Sequence, residues 1–270
     1  MKKKATVRIG AATIYVSKQD KTKRNCFERL FAFCDKWLPK CGCDIVVLPE
    51  PYEFLEEDIQ PLDGVNAQRF IAYAKKYKLF LIAPLAEKVG KRFHLAQVVI
   101  SPKGKIIHNY RKVHGLSHDS ETNTYLRGKE FKTFELPWFR AGIMVCFDNQ
   151  FPESSRSLAI QGAKVVFFPS FGDLYKPHRD AARCLDNHIY LIGASHIDRA
   201  IGLPASKFEQ GMIMNPKGKI ITSTKSKEGL AIGELPLVKG KLAEPELSGD
   251  TLSTPVNYLK WRRPMAYINE

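Results

Sequence analysis

Short apolar runs bounded by turn residues recur along the chain: DIVVLP (44–49), LFLIAPL (79–85), QVVIS (97–101), AGIMVCF (141–147), KVVFFPS (164–170) and IYLIGAS (189–195). Runs this short, rich in Val, Ile and Phe, predict strands buried on both faces. Between them the apolar spacing turns helical, over Lys21 to Leu38, Asn66 to Tyr77, Pro152 to Gln161 and His178 to Asp186. Pro152 in a first turn and Gly162 just past the last punctuate the third of these as a helix.

The pattern also matches itself. Arg8-x-Gly10 returns as Arg140-x-Gly142, GCDIVVLPE (42–50) as GAKVVFFPS (162–170), and LFLIAPLA (79–86) as IYLIGASH (189–196). PKGKII occurs at 102–107 and again at 216–221, where it reads as a tight hairpin turn. Four matches in one order predict an α/β fold made of two sheet-and-helix halves, about 5–110 and 139–235. Packed together they give a four-layer α-β-β-α sandwich with internal pseudo-two-fold duplication. The expectation is a single domain over 1–270 with a C-terminal extension, 236–270. Segment 111–140 has no repeat partner, and an unrepeated insert is a place to look for function.

Composition narrows the class. With 44% hydrophobic and 26% charged residues the chain is ordinary globular material. No apolar run approaches the ~18 residues of a membrane span, and the N-terminus lacks a signal-peptide core, so no membrane partner is expected. Forty-two Lys and Arg against 28 Asp and Glu give a net charge of +14. Apart from Lys2 to Lys4 and Arg262-Arg263 these charges come singly or in pairs, which predicts a solvated surface and no nucleic-acid partner. A positive field of this kind still favours an anionic substrate. The six cysteines (26, 34, 41, 43, 146, 184) do not form a disulfide scaffold, and Cys41-x-Cys43 lacks a second pair for zinc. A reducing cytoplasm is the expected location. No phosphate-cradling loop, dinucleotide fingerprint or metal-binding histidine pair is present, so neither cofactor nor metal is expected.

Three residues stand where chemistry is possible. Cys146 ends an apolar strand and is followed by Phe147-Asp148-Asn149-Gln150-Phe151-Pro152-Glu153 and a helix. Backbone N–H groups and a positive helix end there favour a thiolate, although the position suits a small buried hydrophobe equally well. Glu50 follows DIVVLP; desolvation would raise its pKa toward that of a general base, whereas a surface glutamate is the plainer reading. Its repeat counterpart is Ser170. Lys112 opens the unrepeated insert, and nothing in its own surroundings separates it from the other lysines.

Taken together, Leu48-Pro49-Glu50, Tyr110-Arg111-Lys112-Val113-His114 and Cys146-Phe147-Asp148-x-x-Phe151-Pro152-Glu153 resemble the three signature blocks of the nitrilase superfamily, the carbon–nitrogen hydrolases. Asn25, Ser101-Pro102-x-Gly104, Arg156, Gly162-Ala163, Pro169-Ser170, Asn187, Tyr190 and Asn215-Pro216-x-Gly218 extend the resemblance over most of the chain. The resemblance implies a catalytic set of Glu50, Lys112 and Cys146. It also implies a second glutamate, for which Glu121 is the match, ahead of Tyr125-Leu126-Arg127-Gly128, with Arg127 where proline is usual. Lys112 and the N–H of Phe147 would hold an oxyanion, and Gln150 and Ser170 would lie at the substrate.

Departures from the family pattern are Gln150, Asp186 in Arg183-Cys184-Leu185-Asp186-Asn187, and Leu95, all at positions that bear on the acyl group rather than on the reaction. The implied activity is hydrolysis of a non-peptide C–N bond in a small linear amide or carbamoyl compound through a cysteine thioester. Nitrile hydrolysis, acyl transfer to an amine and a catalytically silent binding protein are the alternatives; Phe147-Asp148 in place of Trp-Glu argues against a nitrile. Relatives usually form dimers or larger assemblies, so a homo-oligomer is expected. The apolar Tyr258, Trp261, Met265 and Tyr267 suit either a neighbouring subunit or the chain's own core.

Overall fold

The computed structural model describes residues 4–16, 26–51, 55–115, 125–171, 177–198, 210–225 and 227–243. The first half runs β1 (Thr6–Val16), α1 (Cys26–Cys41), β2 (Ile45–Val47), the two-residue β3 (Ile59–Gln60), α2 (Val65–Tyr77), β4 (Phe80–Val89), β5 (Arg92–Ile100) and β6 (Ile106–Arg111). A short β7 (Phe134–Glu135) leads into the second half. That half comprises β8 (Arg140–Ile143), α3 (Pro152–Ile160), β9 (Val165–Pro169), α4 (Pro177–Asn187), β10 (Tyr190–Asp198), β11 (Met212–Met214) and β12 (Ile220–Ser223). Strands β13 (Gly229–Val238) and β14 (Lys241–Leu242) follow.

Leaving β3 aside, each half reads β-α-β-α-β-β-β. Its first three strands are parallel and the last two return as antiparallel hairpins. In register, Ile9, Ile45 and Phe80 of one half answer to Ala141, Val165 and Tyr190 of the other. That alignment superimposes Gly10 on Gly142 and Glu50 on Ser170, as the repeats require. Both PKGKII turns are hairpins: Ser101 N–H donates to Lys105 O at 2.8 Å, and Asn215 N–H to Lys219 O at 2.9 Å.

Side-chain alternation explains why the strands are apolar at every position. Val165 and Phe167 of β9, with Tyr190 and Ile192 of β10, join the core between the sheets. Val166, Phe168 and Leu191 point the other way, onto Leu158 and Cys184 of α3 and α4. On the far side, α1 buries Phe27, Leu30, Phe31, Cys34 and Leu38 at helical spacing, and Phe31 meets Phe70 of α2 with ring centroids 4.9 Å apart. The helix passes Leu38 and Pro39 to end at Cys41. Proline in the last turn forfeits one backbone bond, and burial of both Leu38 and Cys41 offsets it.

Two features depart from a sandwich of separate sheets. The sheets are joined in one nearly closed ribbon, because β1 is 11 residues long and outruns β2. It pairs with β2 over Ile9–Ala11 and then with β10, from Thr13↔Ser195 to Val16↔Asp198. In addition, β7 pairs antiparallel with β8 as β13 does with β1, so segment 111–140 supplies a spatial counterpart to β13 despite lacking a sequence repeat. No helix among the described residues is long and apolar enough to cross a membrane.

Candidate active site

Glu50 lies three residues beyond β2, Cys146 three beyond β8, and Lys112 directly after β6. These are carboxyl ends of strands running in the same sense within each half, where open α/β sheets form their crevices. Lys112 Nζ donates to Glu50 Oε1 at 2.7 Å, and the two side chains are only 5% and 4% exposed. The other Glu50 oxygen, Oε2, accepts the Phe171 N–H at 3.1 Å. The Cys146 thiol faces the Phe171 carbonyl at 3.8 Å and is hydrogen-bonded by Ser170, whose Oγ lies 3.3 Å from that carbonyl. Phe171 therefore holds the carboxylate through its N–H and the thiol through its C=O.

The strand expected to continue through Cys146 stops at Ile143. Cys146 opens a 3-10 turn, 146–150, with φ of +47°, a left-handed conformation costly for a side-chain-bearing residue and held only by its surroundings. Asp148 is what holds it. This fully buried carboxylate accepts Val145 N–H at 2.7 Å, the Tyr110 hydroxyl at 2.6 Å and His114 N–H at 2.9 Å. His114 Nδ1 lies 2.9 Å from the same oxygen, and its ring stacks on Phe151 at 3.9 Å between centroids. One carboxylate thus ties the turn bearing Cys146 to the segments on both sides of Lys112.

Lys112 is pinned through its backbone as well. Its N–H donates to Leu95 O at 2.8 Å, and its carbonyl accepts Gly128 N–H at 2.7 Å. A Cβ on Gly128 would lie 2.0 Å from the Arg111 carbonyl oxygen, so only glycine allows this approach. Gly128→Ala is expected to cost about 3 kcal/mol or more in unfolding free energy, since backbone must move on one side. Chemical denaturation would read it, and a loss under about 1 kcal/mol would show that the loop yields cheaply.

Electrostatics correct the thiolate expectation. Burial, and then the Glu50 charge, push the Cys146 thiol up to about 12; the Lys112 charge and the Ser170 hydrogen bond oppose them without prevailing. For Lys112, burial works against the ammonium, but the Glu50 carboxylate and the neighbouring Cys146 sulfur together outweigh it and the pKa is raised. At rest the Cys146 side chain is therefore held as a neutral thiol. Alkylation of Cys146 by iodoacetamide is therefore expected to climb about tenfold per pH unit between about pH 7 and 10. A rate that levels off below neutral pH would contradict this protonation state.

His196 and Gln97 had no signal in the sequence beyond their residue type. His196, on β10 and 1% exposed, donates from Nε2 to the Glu50 carbonyl at 2.9 Å; burial lowers its pKa to about 4 and keeps it neutral. Gln97, on β5, donates to the Pro49 carbonyl at 3.4 Å. The successive carbonyls of Pro49 and Glu50 are thus held from both halves. Phe147 is half-buried with its ring edge-on to Phe151 at 5.6 Å, and Ser170 is buried beside the thiol. Gln150 is exposed at the end of the 3-10 turn. Glu121 lies outside the described residues, as do Asn25 and the apolar C-terminal set.

A family profile described as Carbon-nitrogen hydrolase matches residues 17–243. The chain belongs to the carbon–nitrogen hydrolases. This carbon–nitrogen hydrolase is 31% identical over 217 residues to a nitrilase of Pyrococcus abyssi, covering 75% of this chain and 81% of that one. It is 25% identical over 219 residues to an omega-amidase of Homo sapiens, covering 73% and 78%. Among solved structures, Nit3 of Saccharomyces cerevisiae, a member of branch 10 of the nitrilase superfamily, superposes with a TM-score of 0.71 at 22% identity, covering 86% of this chain and 90% of that one. The α-β-β-α sandwich is the carbon–nitrogen hydrolase fold.

Proposed function

We propose that this carbon–nitrogen hydrolase is an amidase-type enzyme acting on a small linear amide or carbamoyl compound, with Cys146 as nucleophile, Glu50 as general base and Lys112 as oxyanion partner. The observation that carries the reading is the buried contact of Lys112 with Glu50 at 2.7 Å, tied through Phe171 to Cys146. Glu50 takes the thiol proton as the sulfur attacks the amide carbon. The oxyanion that forms meets the Lys112 ammonium and the Phe147 N–H, in a dry site where such contacts are strongest. Collapse expels the amine or ammonia, protonated by Glu50, and leaves an acyl thioester on Cys146. Glu50 then draws a proton from water, which attacks the thioester; the C–S bond breaks, the acid is released, and Glu50 returns the proton to the Cys146 sulfur. In this reading Glu121 positions Lys112 or the substrate, and Gln150 and Ser170 border the acyl group.

The relative of 31% identity is called a nitrilase, which favours nitrile hydrolysis as a second reading. A panel of amides, carbamoyl amines and nitriles, with mass detection of the peptide carrying Cys146, separates the two. The amidase reading expects acid and ammonia from amides and an acyl adduct on Cys146 that hydroxylamine removes. Turnover of nitriles alone, or of amides without an adduct in rapid-quench samples, would overturn it.

A further inference from the structure

All six cysteines are free thiols, and the chemistry above uses one. Cys26, Cys34 and Cys184 are fully buried among apolar side chains. Cys41 and Cys43 differ, because each lies against the other. They flank Gly42 where α1 ends and β2 is about to begin, and Gly42 is exposed with φ of +57°, the left-handed residue that closes the helix. The Cys43 N–H donates to the Cys41 sulfur at 3.4 Å. The Cys43 thiol is directed at the Cys41 carbonyl at 3.6 Å.

The surroundings divide the labour between the two sulfurs. The hydrogen bond from Cys43 lowers the Cys41 pKa against the effect of burial, and the Arg8 charge assists. The same interaction drives the Cys43 thiol upward. Arg8 is close by: its Nη1 lies 3.9 Å from where a Cβ on Gly42 would sit, and its Nε is buried with no hydrogen-bond partner among the described residues. With the Cys43 N–H aimed at the Cys41 sulfur, Cys41 is set up as the attacking thiolate and Cys43 as the thiol that resolves it. The two residues, 3% and 8% exposed, lie at the margin of the core on either side of an exposed glycine.

We propose that Cys41-Gly42-Cys43 is a redox-modification site, at which a hydroperoxide converts the dithiol to an intramolecular disulfide before it oxidises Cys146. The Cys41 thiolate attacks the peroxide oxygen, the O–O bond breaks, and the departing oxygen takes a proton to leave as water or alcohol. Cys41 is now a sulfenic acid. The Cys43 sulfur attacks it, the S–O bond breaks, and the hydroxyl leaves as water with the Cys43 proton. Two thiols and one hydroperoxide become one disulfide, one water and one water or alcohol. A ring closed over a single intervening residue is strained, so a dithiol reductant reopens it readily. The site stands apart from the amide chemistry and does not depend on it.

The test is mass spectrometry on the full chain. Protein at neutral pH is exposed to a few equivalents of hydrogen peroxide, quenched with N-ethylmaleimide under denaturing conditions and digested. The peptide carrying Cys41 and Cys43 is expected to be two hydrogens lighter, free of maleimide and restored by dithiothreitol. It should form about tenfold faster than oxygen adds to Cys146. In Cys43→Ala, Cys41 should stop as a sulfenic acid trapped by dimedone, then over-oxidise. Full maleimide labelling of both residues while Cys146 gains oxygen would overturn the proposal. So would a disulfide between chains, or the same Cys41 product in Cys43→Ala as in the wild type. The wild-type experiment decides even if the variant fails to fold.

Discussion

Cys146→Ala protein is expected to lose amide hydrolysis by about 10⁴-fold or more in kcat while remaining folded. In the proposed mechanism every covalent step passes through the sulfur, and no other described cysteine lies in the Glu50–Lys112–Phe171 cluster. Alanine removes one atom from a half-buried side chain and keeps the backbone of the turn, whose shape is held by Asp148 rather than by the thiol. The stability cost should be about 1 kcal/mol. Ammonia release and a thermal melt, measured on the same preparation, check both halves. Activity within about a hundredfold of wild type would sink the thioester mechanism.

The second large effect comes from separating the buried ion pair. Lys112→Met leaves the Glu50 carboxylate 4% exposed with its cationic partner gone, and Glu50→Gln leaves the Lys112 ammonium 5% exposed with a neutral one. Removing one partner of such a pair costs about 3–5 kcal/mol, because the remaining charge stays desolvated. The double variant carries neither charge and should recover most of that loss, a coupling well outside additivity. Activity follows a different rule. Each single variant should fall by about 10²–10³-fold or more in kcat, through loss of the oxyanion partner or the base, and the double should stay as inactive as the worse single. Denaturant melts of the four proteins make the comparison. A double variant no more stable than either single would mean that the pair is solvated in solution.

How far the sequence foretold this site depends on the range of the interactions. The strands at 164–170 and 189–195 were legible because unbroken apolar runs need two cores, and the structure supplies them on the two faces of β9 and β10. Glu50, Lys112 and Cys146 were selected only by the resemblance of their three blocks; burial then brings Lys112 onto Glu50 across 62 positions. Local pattern failed where distant chain decides. The thiolate reading rested on residues near Cys146, but its protonation is set by burial and by Glu50. His196 read as one histidine among seven, because its partner is a backbone carbonyl 146 positions away. The β1–β10 seam and the match of β7 to β13 had no signal, since pairing partners are written in neither strand.

The pairing of β1 also governs the order in which the fold can be assembled. Its eight residues from Thr6 to Thr13 are bonded to β13, from Pro236 back to Gly229, so this edge stays open until a strand made roughly 220 residues later arrives. Contacts so distant in sequence make for slow folding, and an unpaired edge rich in Val, Ile and Ala is a site for misassembly in the interval. The half that carries Glu50 is begun first and completed last. A chain interrupted before β13 would therefore hold Glu50 beside an unfinished sheet, a natural substrate for chaperones rather than a stable half-enzyme.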